Sequence, residues 1–206
     1  MAIWLVRHGE TEWSISGQHT GTTDIALTPE GELQAIAIGK LLAGRGFDHV
    51  FASPMTRAQQ TARLAEFGER IVVTEGLREY DYGEFEGITT KQIWEIQPEW
   101  ELFRDGCPGG ETPEAMAERI DRFLAEIRAL EGHVLLFGHG HCFRSFAARF
   151  LGLPIRAATN LRSDAGSVSI LNDGRDGATL VLWNRRVAPR AVLVADIATA
   201  LARTTP

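Results

Sequence analysis

The sequence predicts an α/β chain, a three-layer α/β/α sandwich around a mixed, mostly parallel central sheet. Three observations point there. Short apolar runs end abruptly at polar residues, as buried parallel strands do. Between them lie amphipathic stretches that open on helix start signals. A last pair of apolar runs flanks Asn172-Asp173-Gly174, a hairpin signature that would add an antiparallel edge.

Taken in order, Ala2 to Val6 reads as a buried strand that stops at Arg7-His8-Gly9. Thr28 is an N-cap, Pro29 suits the first helical position and Glu30 favours the positive end of the dipole. Leu33, Ile36, Ala37 and Leu41 form the predicted apolar stripe of that helix, which ends by Gly44 and Gly46. His49 to Ala52 reads as a second strand. Ser53-Pro54 repeats the cap logic for a helix through Arg57, Thr61 and Leu64, and Ile71 to Thr74 is a short third strand. Residues 76–112, rich in turn formers and interleaved with Trp94, Trp100 and Phe103, read as an insertion or lid whose aromatics serve packing. Thr112-Pro113-Glu114 caps a long helix carrying Met116, Ile120, Phe123, Leu124 and Ile127. His133 to Phe137 is the strongest strand, and Gly138-His139-Gly140 leads from it into a helix stopped at Gly152. Ser167 to Leu171 and Thr179 to Trp183 are the hairpin strands. With no repeat or low-complexity linker, a single domain over residues 1–206 is expected.

Composition narrows the function classes. The chain has 206 residues, 44% hydrophobic and 23% charged, so a core forms without disulfide or metal. A formal charge of -6 argues against general binding of nucleic acid or anionic membrane. The first residues lack the pattern of a signal peptide, and no apolar run reaches membrane-spanning length. Cys107 and Cys142, far apart and outside any CxxC spacing, fit a reduced, cytoplasmic protein.

Ligands of open α/β sheets bind beyond the carboxyl ends of the strands. Arg7-His8, Arg57 and His139 fall there on this reading. Arg57 is the informative residue, because a cation in the first turn of a helix opposes the macrodipole. Helix amides and guanidinium make sense together if both face one anion, and phosphate is the usual candidate. His8 then has a chemical role, since neutral imidazole is a competent nucleophile and can carry a phosphoryl group. One carboxyl can protonate the leaving oxygen and later activate water. Glu79, Asp81 and Glu84 all lie in the right stretch, and position alone does not separate them. A lone histidine at a strand end is more often simply satisfied; the flanking Arg7 and the wider pattern reverse that reading.

Leu5-Val-Arg-His-Gly-Glu-Thr-Glu-Trp13 resembles the signature of the histidine phosphatase superfamily, the phosphoglycerate mutase-like fold. Four more blocks follow in that family's order. They are Thr20-Gly-Thr-Thr-Asp24 with Leu27-Thr28 and Gly31, Ser53-Pro-Met-Thr-Arg-Ala-Gln-Gln-Thr61, Leu77-x-Glu79 with Gly83 and Glu86-Gly87, and Gly138-His139-Gly140. The resemblance implies His8 as nucleophile and Glu79 as proton donor. It implies Arg7, Arg57 and His139 as phosphate ligands, and neither metal nor cofactor. Ser14, Thr20, Gly21, Tyr82, Gly140 and His141 become candidate contacts to the rest of the substrate, with Arg144 near the mouth.

The sequence is closer to the bacterial acid phosphatase and fungal sugar-bisphosphatase branch. Trp13-Ser14, Gly17-Gln-His-Thr-Gly21, Glu79-Tyr-Asp-Tyr-Gly83 and Gly106-Cys-Pro-Gly-Gly-Glu-Thr112 carry that resemblance. Ser14 and His141 stand where mutases usually have Asn, and the middle insertion is short for a bisphosphorylated cofactor. The expected activity is therefore metal-independent hydrolysis of small phosphomonoesters, sugar phosphates or similar metabolites. A 2,3-bisphosphoglycerate-dependent phosphoglycerate mutase and a non-catalytic phospholigand-binding protein are the alternatives. The tail from Val187 onward fits either a closing sheet edge or a homodimer interface.

Overall fold

The computed structural model describes residues 1–175 and 177–187. In chain order the elements are β1 (Ala2–Arg7), α1 (Glu12–Ser16), α2 (Pro29–Leu42), β2 (His49–Ala52), α3 (Thr56–Leu64), β3 (Val72–Val73), α4 (Thr90–Ile96), α5 (Leu102–Asp105), α6 (Pro113–Arg128), β4 (Val134–Gly138), α7 (Gly140–Phe150), β5 (Ser167–Gly174) and β6 (Gly177–Arg186). The six strands form one sheet in the order β3-β2-β4-β1-β5-β6. The first four are mutually parallel; β5 runs antiparallel to β1, and β6 to β5. The predicted mixed, mostly parallel sheet is therefore observed.

Alternation along the strands makes the layers. Val134 and Leu136 of β4, with Ile3 and Leu5 of β1, pack against Ile120, Leu124, Phe143 and Phe146 of α6 and α7. Leu135, Phe137 and Val6 point the other way, onto Ile38, Leu42 and Ala62 of α2 and α3. Residues 76–112 add Leu77, Tyr80, Tyr82, Phe85, Trp100 and Phe103 to the first of these clusters. Trp94 stays 52% exposed. Among the described residues no helix is long and apolar enough to cross a membrane.

Chain direction places the site. From β1 the chain passes to the α2 face, whereas from β4, its neighbour, it passes to the α7 face. That divergence is a topological switch point, and it opens a crevice at the carboxyl ends of both strands. Register aligns those ends: Arg7 lies opposite Gly138, and Ala52 opposite Phe137.

Four expectations need correction. The buried face of α2 comprises Gln34, Ala35, Ala37, Ile38 and Leu42, whereas Leu33 and Ile36 are 46% and 40% exposed. A polar anchor sets this rotation, since Gln34 accepts a hydrogen bond from the Glu10 amide at 3.0 Å. Helix α3 starts at Thr56 rather than at Ser53-Pro54, because the Asp24 carboxylate accepts its first amide at 2.8 Å and Ser53 is engaged with His139. The third strand shrinks to Val72–Val73. Asn172, Asp173 and Gly174 belong to β5, so the hairpin turn follows them. The tail from residue 188, expected at a sheet edge or homodimer interface, lies outside the described residues.

Candidate active site

His8 is the first residue beyond β1. It is buried, and its amide donates to Gly138 O at 3.0 Å, tying it to the end of β4. Its Nδ1 lies 2.7 Å from Gly9 O. A carbonyl only accepts, so Nδ1 carries the proton and Nε2 keeps the lone pair. Burial, then the charges of Arg7 and Arg57, pushes the imidazole well below its ordinary value of 6.5. His8 is thus neutral at physiological pH, in the tautomer a nucleophile requires.

The cations around it lack carboxylate partners. Among the described residues neither Arg7 nor Arg57 makes an ion pair. Arg7 donates through Nη1 to Ser163 O, while its buried Nε has no partner. Gly140 leaves room for it, since a Cβ there would come within 3.1 Å of the guanidinium carbon. Arg57 is 0% exposed. It donates to Thr20 O, Gly21 O and Thr23 O at 3.0–3.1 Å, and through Nε to His139 Nδ1 at 3.2 Å. Glu86 accepts from the amides of Gly21 and Thr23, so the 20–23 loop is held from both sides. Burial lowers both guanidinium pKa values, with Glu79 the largest opposing charge; arginine nonetheless remains charged.

Glu79 is 8% exposed. Its carboxylate accepts from the amides of His141 at 3.0 Å and Cys142 at 2.8 Å, at the start of α7, and from its own neighbour Tyr80 at 3.0 Å. His139 packs against His8 with ring centroids 5.3 Å apart, and its Nε2 lies 2.7 Å from Ser53 Oγ. Burial, then the Arg57 charge, holds it well below the ordinary histidine value.

Arg7, His8 and Glu79 meet at a cavity that opens to solvent. Arg7, His8, Ser14, Thr20, Glu79, Tyr82, Gly140 and His141 line it. Arg57, His139 and Gly21, expected at the phosphate or the substrate, do not reach the lining: the Arg57 donors are taken by the 20–23 carbonyls and His139, and His139 Nε2 by Ser53. Ser14 also completes a capping box with Thr11 on α1.

Gln18, His19, Arg144 and Ser163 also stand in the wall, beside Thr11, Trp13 and Gly17. His19 lies 4.7 Å from the Tyr82 ring and 5.9 Å from His141, and Tyr82 Oη lies 2.5 Å from His141 Nδ1. Burial raises Tyr82 well above 10, so its hydroxyl donates and His141 Nδ1 accepts. Burial, then Arg144, lowers His141, and burial lowers His19 to about 4. The sequence block Gly17-Gln-His-Thr-Gly21 contained His19, but no rule of spacing marked its side chain as facing inward. Ser163 arrives from a distant loop with no local signal.

The depressed imidazoles tie stability to pH. Below about pH 6.5 the unfolded chain binds protons that folded His8, His139 and His141 refuse. Stability is therefore fully present above that pH and declines as pH falls, by up to about 1.4 kcal/mol per unit for each imidazole. Thermal unfolding should show a flat midpoint from about pH 7 to 8 and a fall from about 6.5 to 5. A midpoint that rose over the acidic interval would mean that the folded imidazoles are charged.

A basic crevice at a sheet switch point, floored by a neutral imidazole, marks an α/β protein that handles phosphoryl groups. Residues 3–186 match the Histidine phosphatase superfamily (branch 1), and the chain belongs to that family. It is a phosphatase, and the family implies a phosphorylated small-molecule substrate. The chain is 40% identical over 174 residues to an acid phosphatase of Mycobacterium tuberculosis, covering 82% of this chain and 84% of that protein. It is 35% identical over 201 residues to sedoheptulose 1,7-bisphosphatase of Saccharomyces cerevisiae, covering 82% of this chain and 74% of that protein. The solved structure of a Mycobacterium tuberculosis open reading frame superposes with a TM-score of 0.86 at 34% identity, over 91% of this chain and 98% of that one. The expected branch is thereby borne out.

Proposed function

We propose that the chain hydrolyses small phosphomonoesters through a phosphohistidine on His8. His8 Nε2 attacks phosphorus, and the bond to the ester oxygen breaks. Glu79 protonates that departing oxygen. Glu79, now a carboxylate, takes a proton from water whose oxygen attacks phosphorus, and the P–N bond breaks to release phosphate. Each step needs the negative equatorial oxygens neutralised, the role given to Arg7 directly, and to Arg57 and His139 once their present hydrogen bonds to the 20–23 carbonyls and to Ser53 are exchanged for phosphoryl oxygens.

One observation carries this reading: the buried Arg7 guanidinium, without an ion pair among the described residues and with its Nε unpartnered, stands beside an imidazole fixed in one tautomer. Buried cations of that kind call for an anion. The outer wall of His19, Tyr82, His141, Gln18 and Arg144 supplies polar atoms for a hydroxyl-rich leaving group, which supports a sugar phosphate or similar metabolite.

Purified protein should release phosphate from a panel of phosphorylated sugars and short polyols, with a marked preference within the panel. Activity should persist in EDTA, since no step uses a metal; loss on chelation, restored by a divalent ion, contradicts the mechanism. With 3-phosphoglycerate and 2,3-bisphosphoglycerate the expected outcome is phosphate release without isomer exchange. Rapid exchange would assign a mutase instead.

A further inference from the structure

The carrier of Glu79 has little regular structure of its own. Residues 76–83 consist of short turns between β3 and the 83–85 turn, yet Glu79 must be held to fractions of an ångström for proton transfer. One side chain grips this segment from behind. Arg119 of α6 donates through Nη1 to Gly76 O at 3.3 Å and Arg78 O at 3.0 Å, and through Nη2 to Glu79 O at 3.4 Å. Its fork is fixed by Glu111, with Nε to Oε1 and Nη2 to Oε2 both 2.8 Å. The pair is largely buried, at 17% and 13% exposure. Glu111 also ties in the far end of the segment, since its amide donates to Asp81 O at 2.9 Å. Gly110 permits that approach, because a Cβ there would meet Asp81 O at 2.4 Å.

Resting on the role proposed for Glu79, we infer that Arg119, oriented by Glu111, is a positioning residue for proton transfer to the leaving group. The pair never reaches the cavity that holds His8. It acts through the main chain: three carbonyls on one guanidinium set where the Glu79 backbone sits, and the amides of His141 and Cys142 set where its carboxylate points. Two anchors on opposite sides define one position.

The variant that separates this role from general stability is Arg119→Met with Glu111→Met. Apolar replacement of a whole buried ion pair is often neutral for folding, whereas removing one partner strands the other charge. The loss should depend on the leaving group. An alkyl ester such as glycerol phosphate needs its oxygen protonated, while p-nitrophenolate departs without help. With the thermal midpoint retained, alkyl ester turnover should fall about 10- to 100-fold, the aryl ester's first phosphoryl transfer should fall less than about threefold, and inhibition by inorganic phosphate should be unchanged. Adding the two methionine substitutions to Glu79→Gln should cause no further loss on the alkyl ester beyond that of Glu79→Gln alone, since both changes act on one proton.

Equal losses on both esters, or losses that multiply with Glu79→Gln, overturn the inference. Leaving-group selectivity in Glu79→Gln alone, without it in the pair variant, overturns the positioning role and leaves the acid assigned. Its absence from both removes the Glu79 assignment and this inference together.

Discussion

Replacing His8 with alanine should lower phosphatase turnover by on the order of 10^5-fold, to the level left when an enzyme loses its nucleophile but keeps its binding groups. Methyl cannot form the covalent intermediate, and the geometry offers no second nucleophile in the same position. His139, the nearest imidazole, has Nδ1 accepting from Arg57 and Nε2 against Ser53. Folding should survive, because the remaining bonds at the end of β1, including Gly9 N to Thr61 Oγ1 at 3.1 Å, do not involve the ring. Steady-state assays with an aryl phosphate and circular dichroism on the same preparation check both parts. A variant within tenfold of the wild type would remove His8 from the mechanism.

Glu79→Gln carries the second largest effect, about 10^2- to 10^4-fold on alkyl esters. The loss has two sources. The amide cannot exchange the proton, and it is also a poor fit for its surroundings. Three backbone amides converge on the carboxylate oxygens. A Gln side chain has one acceptor oxygen, so its NH2 must oppose at least one of those donors. Glu79→Ala avoids that clash and controls for it. In either variant an aryl ester should phosphorylate His8 faster than water removes the phosphoryl group. Rapid mixing should then show a burst of phenol release followed by a slow steady rate. Without a burst, and with an alkyl ester rate close to the wild type, Asp81 or Glu84 becomes the acid.

Much of this site is legible in the sequence because its residues sit at the ends of strongly patterned elements. Arg7-His8 and His139 follow apolar strands, and parallel pairing brings those ends together whatever the loops do. Arg57 stands out because it defies its helix dipole, a pattern read as facing an anion; in the fold it is fully buried, with its donors on the 20–23 carbonyls and His139. What sequence patterns left hidden depends on contacts across the chain. The burial of α2 is set by Gln34 reaching the Glu10 amide, so a hydrophobic count chose Leu33 and Ile36 in error. The start of α3 is set by Asp24, thirty-two positions earlier, which no local cap rule detects. His19 faces the cavity because its amide and carbonyl pair with Ile88 and Gly87. Arg119 looks like any charge on an amphipathic helix until three carbonyls appear around it.

The phosphohistidine itself is the most direct test. Wild-type protein mixed rapidly with an excess of aryl phosphate, quenched in alkali and digested, should yield a phosphoryl adduct on the peptide containing His8. Phosphohistidine is stable to base and labile to acid, so brief acid treatment should remove the adduct, and the His8→Ala preparation should show none. Full turnover by the wild type with no adduct on His8, or with an acid-stable adduct on another residue, would contradict the account.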